Sequence, residues 1–328
     1  MVACLVACGG SKPNNKNLAP LPPDKPVAEV KPTPDGEKKP DVAPVAAKPL
    51  PPLEVKFERP SAAVKLVNAG KGKKAPLRYT PKAGSKQAVE VVMTFGQSAK
   101  AGDESAEEEA PPIVLTGEAE TKAVDASGKA DYALSMSAVD VRNPTGGDAE
   151  MIGKFKTVIA SLGKLVITGS VEGTGAAPET QLRIEAPDQF SASAVDLLRI
   201  TLPPWPVFPS EPIGLGAKWQ TTRSSQLKLG PGVGIEMKHV TDYELVAKKG
   251  TTWTIKSKTV VSGSDQDVKG AKVSKIGGSG TQEISLDEGT LFPTYSSKIE
   301  SSLTVTQTDK PAEEHGFKIA STVTAKAK

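Results

Sequence analysis

From Trp219 to the C-terminus the chain repeats one pattern. Apolar and polar residues alternate over long runs: Trp219–Leu229, Ile235–Ala247, Thr252–Ser262, Gly280–Ser285, Thr294–Thr308 and Phe317–Lys326. A period of two puts successive side chains on opposite faces of a strand, so these runs read as antiparallel strands. Lys248-Lys249-Gly250-Thr251 makes a hairpin turn between the second and third runs. Long strands joined by short turns predict an extended antiparallel meander covered on one side. Aromatic residues are only 4% of the chain, so Val, Ile, Leu and Ala must supply most of the core.

The middle of the chain extends the same sheet type. Ile113–Val124 and Asp131–Val141 flank Ala126-Ser127-Gly128-Lys129 as a hairpin. On its second arm Tyr132, Leu134, Met136 and Ala138 share a face, opposite Ser135 and Ser137. Lys164–Gly169 and Thr180–Ala186 form another pair, and Ala62–Val67, Leu77–Thr80 and Gln87–Phe95 read as earlier strands. Between the hairpins, Met151, Ile152, Phe155, Val158, Ile159 and Leu162 fall on one helical stripe, predicting an amphipathic helix over about 148–162. Asp148 is its expected cap and Gly163 its stop. A shorter helix is expected at Ser191–Leu202, ended by Pro203. The fold class is therefore mainly β (β-rich α+β), a long curved antiparallel sheet or half-barrel with one packed amphipathic helix.

Two stretches interrupt this pattern. Gly102–Pro112 carries Asp103, Glu104, Glu107, Glu108 and Glu109 and reads as a solvated loop, since carboxylates on a flexible loop are not a preformed cation cage. Pro203-Pro204-Trp205-Pro206-Val207-Phe208-Pro209-Ser210-Glu211-Pro212 is too proline-rich to join a central strand. It reads as a strap that crosses a sheet edge and plugs the core. The other reading is an apolar-ligand cleft lined by Trp205, Phe208 and Trp219.

Ahead of the strands, Pro13 to Pro60 holds nearly half of all the prolines, with Ala, Val and charges of both signs between them. No apolar period is visible there. Such a segment buries too little surface to offset chain entropy, so residues 9–59 are expected to be a disordered tether. Fully extended it would reach on the order of 140 Å. The globular domain is expected over residues 60–328.

The chain opens Met-Val-Ala-Cys-Leu-Val-Ala-Cys-Gly-Gly-Ser, and Leu5-Val6-Ala7-Cys8 resembles a bacterial lipobox. The resemblance implies a signal peptide cut before Cys8, which is acylated, with palmitate among the chains, and becomes the mature N-terminus. Two or three chains would anchor the protein firmly, where one chain binds only reversibly. Gly9 rather than Asp after the cysteine implies the outer membrane, facing the periplasm or the cell surface. Residues 1–8 would then be a truncated signal peptide. Only seven residues precede Cys8 and none is basic, so the true start is expected upstream of Met1. Cys4 and Cys8 are the two cysteines, which excludes a disulfide inside the folded part. Together with the tether and Pro209-Ser210-Glu211-Pro212-Ile213-Gly214-Leu215-Gly216-Ala217-Lys218-Trp219, these features resemble uncharacterised bacterial lipoproteins. In that family a P-x-E-P-[VI]-G-x-G-x-x-W segment introduces the C-terminal strands.

Signatures of chemistry are missing from the sequence. Gly277-Gly278-Ser279-Gly280-Thr281 fails the G-x-S-x-G pattern and reads as a flexible turn. Gly230-Pro231-Gly232-Val233-Gly234 lacks the dinucleotide spacing, and Asp265 and Asp267 read as turn residues. Net charge is +3 with scattered basic residues, so no nucleic acid is expected as a partner. No cofactor, metal or catalytic residue is expected. The expectation is a non-catalytic envelope lipoprotein that binds an envelope protein or the cell wall through its sheet, with the membrane as second partner through Cys8. The alternatives are a carrier of lipid or another apolar ligand between sheet and helix, and a hydrolase using His239 or His315.

Overall fold

The computed structural model describes residues 50–327 except 59–60, 143–148, 189, 193–194, 196–197, 199–204, 231–232 and 310–312. Cys8, the lipobox and most of the tether lie outside the described residues, as do Asp148 and Leu202.

The strands in chain order are β1 (Leu53–Glu58), β2 (Ala63–Asn68), β3 (Lys71–Ala75), β4 (Lys86–Ala101), β5 (Glu104–Val124) and β6 (Ala130–Val141). Helix α1 (Ala149–Ile159) follows, continued by a 3-10 turn over Ala160–Lys164. Then come β7 (Leu165–Val171), β8 (Glu179–Ile184), β9 (Ile213–Leu215), β10 (Lys218–Gly230), β11 (Val233–Lys249), β12 (Thr252–Ser262), β13 (Gln266–Val268), β14 (Ala271–Asp287), β15 (Thr294–Gln307) and β16 (Glu314–Ala327). Fourteen strands form one antiparallel sheet in the order β1-β8-β7-β6-β5-β4-β16-β15-β14-β12-β11-β10-β2, with β13 beside β14. A separate pair joins β3 to β9.

The two ends of this path are neighbours in sequence. Glu58 and Ala63 are five positions apart, a distance the chain spans in at most about 18 Å. Laid flat, the thirteen strands of the path would put their outer members some 58 Å apart at about 4.8 Å per strand. The sheet must therefore roll until β1 and β2 approach each other. The hydrogen-bonded path itself does not close. Twelve antiparallel steps separate β1 from β2, so they run in the same direction, as two halves of one interrupted strand do. The first half pairs with β8 and the second with β10.

The long strands outrun the short ones. β6 meets β5 only from Ile113 onward, and β2 meets β10 only over Lys218–Thr222. Glu104–Ala110 and Arg223–Gly230 are thus the flanks of an upper sheet that extends past the rolled part. The acidic stretch expected as a loop is strand: Glu104–Ala110 pairs residue by residue with Phe95–Ala101. Its carboxylates are exposed, so the pairing brings no charge into the core. The backbone ladder outweighs the low strand propensity of Glu. Gly277–Thr281, expected as a flexible turn, lies inside β14 between β12 and β15. Leu53–Glu58, expected in the tether, forms β1 because Leu53, Val55 and Phe57 alternate onto the core. Leu77–Thr80 is not a strand, although Leu77 and Tyr79 are buried as plugs from within.

The β5–β6 hairpin forms as expected, with one change of face. The register shifts between Thr116 and Gly117, opposite Ser137. This bulge turns Ala138 outward and brings Val139 and Val141 in. Gly117 is required there, because a Cβ would overlap the Ser135 carbonyl oxygen. Helix α1 buries Ile152 and Ile159, and the 3-10 turn buries Leu162 against β6, while Met151 stays 39% exposed. Ser191, Val195 and Leu198 are helical and buried, as the second expected helix requires. A smaller apolar cluster of Ile235, Val273 and Ile276 closes the inner face of the upper sheet.

Candidate functional site

The proline-rich strap fills the rolled sheet. Trp219 opens β10 facing inward, and its Nε1 donates to the Val207 carbonyl at 2.9 Å. Its ring stacks on Tyr243 with centroids 5.2 Å apart, while Phe208 stacks on Tyr79 at 5.2 Å and meets Trp219 edge-on at 6.3 Å. The half-buried Trp205 packs against Tyr132 and Phe292, and its Nε1 donates to the Leu291 carbonyl at 3.2 Å. The Phe208 amide donates to the Thr174 carbonyl at 2.8 Å, and Arg78 donates to the carbonyls of Pro209 and Ser210. Phe208 and Trp219 are each 1% exposed. These two rings pack as core rather than as walls of an open apolar cleft, because neighbouring aromatic faces already occupy their surfaces.

Above this aromatic layer the inner face turns polar. Thr221, Thr241 and Thr259 stand in one cross-strand row over β10, β11 and β12. Thr241 and Thr259 share a 2.9 Å hydrogen bond, and the Tyr243 hydroxyl bonds Thr221 and Thr241. Burial raises the Tyr243 phenol above its ordinary range. In the next row Arg223 faces His239, whose Nε2 shares a 2.7 Å hydrogen bond with Ser225 Oγ.

This pair brings together a serine and a histidine that lie apart in sequence, so its chemistry can be judged directly. Burial, and then the Arg223 guanidinium, lower the His239 pKa to about 4. Such an imidazole is neutral at pH 7 but a weak base, far from the near-neutral pKa that general-base catalysis favours. A guanidinium stands beside it, where a catalytic triad has a carboxylate that stabilises the imidazolium. His315 sits opposite Val305 and Ala101 on the upper sheet. Among the described residues no group of three His, Cys, Asp or Glu could hold a metal ion.

The buried state of His239 has a pH consequence. The folded pKa is depressed below the unfolded value of about 6.5, so the unfolded chain binds the extra proton. Stability from this site is complete above about pH 6.5 and falls as the pH drops toward 4. The loss is of the order of 2 kcal/mol once partial solvent screening is allowed for. Urea unfolding at pH 7 and pH 4.5 should show a drop that shrinks in His239→Gln.

On the outside of the sheet lies a polar depression of about 760 Å³. Its lining comes from the ends of β1, β6, β7 and β8: Glu58, Asp131, Thr168, Ser170, Glu179 and Gln181, with Lys129 from the hairpin turn. The turn is held by Asp125, whose Oδ1 accepts from the Ser127 amide and hydroxyl and from the Lys129 amide. Those bonds, led by the one from the Ser127 hydroxyl, keep the Asp125 carboxyl below its ordinary range. Lys56 and Glu179 pair at 2.8 Å across β1 and β8. The wall is thus a laddered sheet with a fixed turn at its rim. It offers hydroxyls, an amide and carboxylates to a polar ligand, with no aromatic platform for an apolar one. Sequence reading misses this site, since each of these positions looks like an ordinary solvent-facing strand residue.

No known protein family matches the chain, and no curated protein is similar to it. Among the described residues no helix is long and apolar enough to cross a membrane.

Proposed function

We propose that this chain is a lipid-anchored protein of the bacterial cell envelope whose rolled sheet is a non-catalytic binding module. It is tethered at Cys8 to the outer membrane and takes a polar partner, an envelope protein or the cell wall, on its outer face. One observation carries the reading: the interior is occupied by its own aromatic strap, while an open depression on the outside is polar. The lipobox-like opening and the proline-rich segment supply the anchor and the spacer. The weak base at His239 and the packing of Phe208 and Trp219 favour this reading over a hydrolase or an apolar carrier.

Mass spectrometry of the protein purified from its native membrane tests the anchor. The expected N-terminal peptide begins at Cys8 and carries two or three acyl chains. Cys8→Ser should release the protein from the membrane fraction. An unmodified N-terminus in a cytosolic fraction would overturn the proposal.

A further inference from the structure

A second depression, of about 330 Å³, lies on the outer face of the upper sheet, away from the polar groove. Its floor is Gly316 on β16, which leaves a gap in the row Lys100–Gly316–Thr304 across β4, β16 and β15. Lys100, Lys275 and Lys318 surround the gap, and Ser302 and the buried Thr304 line it with hydroxyls.

Lys275 reaches this place through an unusual backbone. It sits in the bulge between Ser274 and Gly277 with φ at +52°, a left-handed conformation that costs a residue other than glycine about 1–2 kcal/mol. Outliers of this kind persist where the surroundings over-determine them, and they cluster at ligand sites. Two of the three ammonium groups have counter-ions at the rim: Lys275 pairs with Glu314 at 2.8 Å and Lys318 with Glu300 at 2.9 Å. Lys100 is exposed and has no ion pair among the described residues.

We infer that this depression binds a phosphate group. Lysine ammoniums act as point charges for phosphate oxygens, and serine and threonine hydroxyls complete the donors. Lys100 is the unpaired charge that meets the oxyanion first, and Lys275 and Lys318 exchange their carboxylates for it. The gap left by Gly316 admits the group. The site stands apart from the groove above and does not rest on the anchoring proposal.

The probes are inorganic phosphate and vesicles of phosphatidylglycerol or phosphatidylcholine, with the full chain carrying Cys8→Ser so that acylation cannot mimic binding. Saturable phosphate binding is expected, weakened at least about fivefold by Lys100→Gln, the loss of one charged hydrogen bond. Gly316→Ala should act in the same direction: its Cβ would stand on the floor in ordinary contact, 3.8 Å from the Lys100 Cβ. Lys298→Gln, four residues from Ser302 on β15, should bind as the parent does. Pelleting with phosphatidylglycerol but not phosphatidylcholine, lost in Lys100→Gln, would assign a lipid headgroup. Phosphate binding without pelleting would assign a soluble phosphate. The inference is overturned if neither probe depends on Lys100, or if Lys298→Gln loses as much.

Discussion

Trp219→Ala should cost about 3–5 kcal/mol, the range for emptying a large aromatic from a packed core. That is a large share of the 5–15 kcal/mol that stabilises a typical domain. The indole joins three parts of the fold. It belongs to β10, it stacks on Tyr243 of β11, and it holds the strap through Phe208 and the Val207 carbonyl. Removing it opens a cavity and strands that carbonyl. Trp219→Phe is the milder change: it keeps a ring against Tyr243 and Phe208, and loses the hydrogen bond, worth about 1 kcal/mol, together with the volume of the pyrrole ring. Urea midpoints of the two variants should therefore differ widely. Equal midpoints would mean that the aromatic stack contributes little.

Gly175→Ala is the second large effect, although it adds a single methyl group. Gly175 has φ at +88°, and a Cβ there would overlap the Pro206 carbonyl oxygen and lie 2.9 Å from Tyr79 Cε2. Left-handed backbone costs an alanine about 1–2 kcal/mol, and overpacking adds about 1–3. The clash falls on the strap, so the variant should also expose Trp205 and shift tryptophan emission to the red. Gly173→Ala is the control. Its Cβ would make ordinary contacts from 3.6 Å outward, and its stability should stay within about 0.5 kcal/mol of the parent. A Gly175→Ala protein with parental stability and emission would contradict the role given to the strap.

The strands were legible wherever apolar residues alternate over a full run. Thr252–Ser262 and Thr294–Gln307 match their expected extents closely, because each has one buried face for the period of two to mark. Where neither face is buried the pattern has nothing to report. Glu104–Ala110 is strand only because β4 pairs with it, and its side chains project into solvent on both sides. Gly277–Thr281 hid for a related reason: glycines that let a sheet bend look like glycines of a turn. The curved sheet was expected, but the way its two ends come together was hidden, since that depends on β1 and β2 choosing different neighbours, β8 and β10, across a four-residue step. The site residues followed the same logic. Trp205, Phe208 and Trp219 were conspicuous because large aromatics are few in this chain and two of these three stand beside prolines. Thr168, Asp131 and Gln181 were inconspicuous because a polar groove uses the residues that any exposed strand uses.

Crosslinking in the native cell tests the central claim, that the outer groove receives an envelope partner. A photo-reactive phenylalanine analogue at Gln181, in the full anchored chain, should yield one dominant adduct. The adduct is either a protein band or material released from the cell wall by a muramidase. Thr168→Trp, which fills the groove without touching the core, should abolish it. The same analogue at Val260, exposed on the outer face of β12, should give none. No adduct from Gln181, or an adduct that survives Thr168→Trp unchanged, would contradict the account.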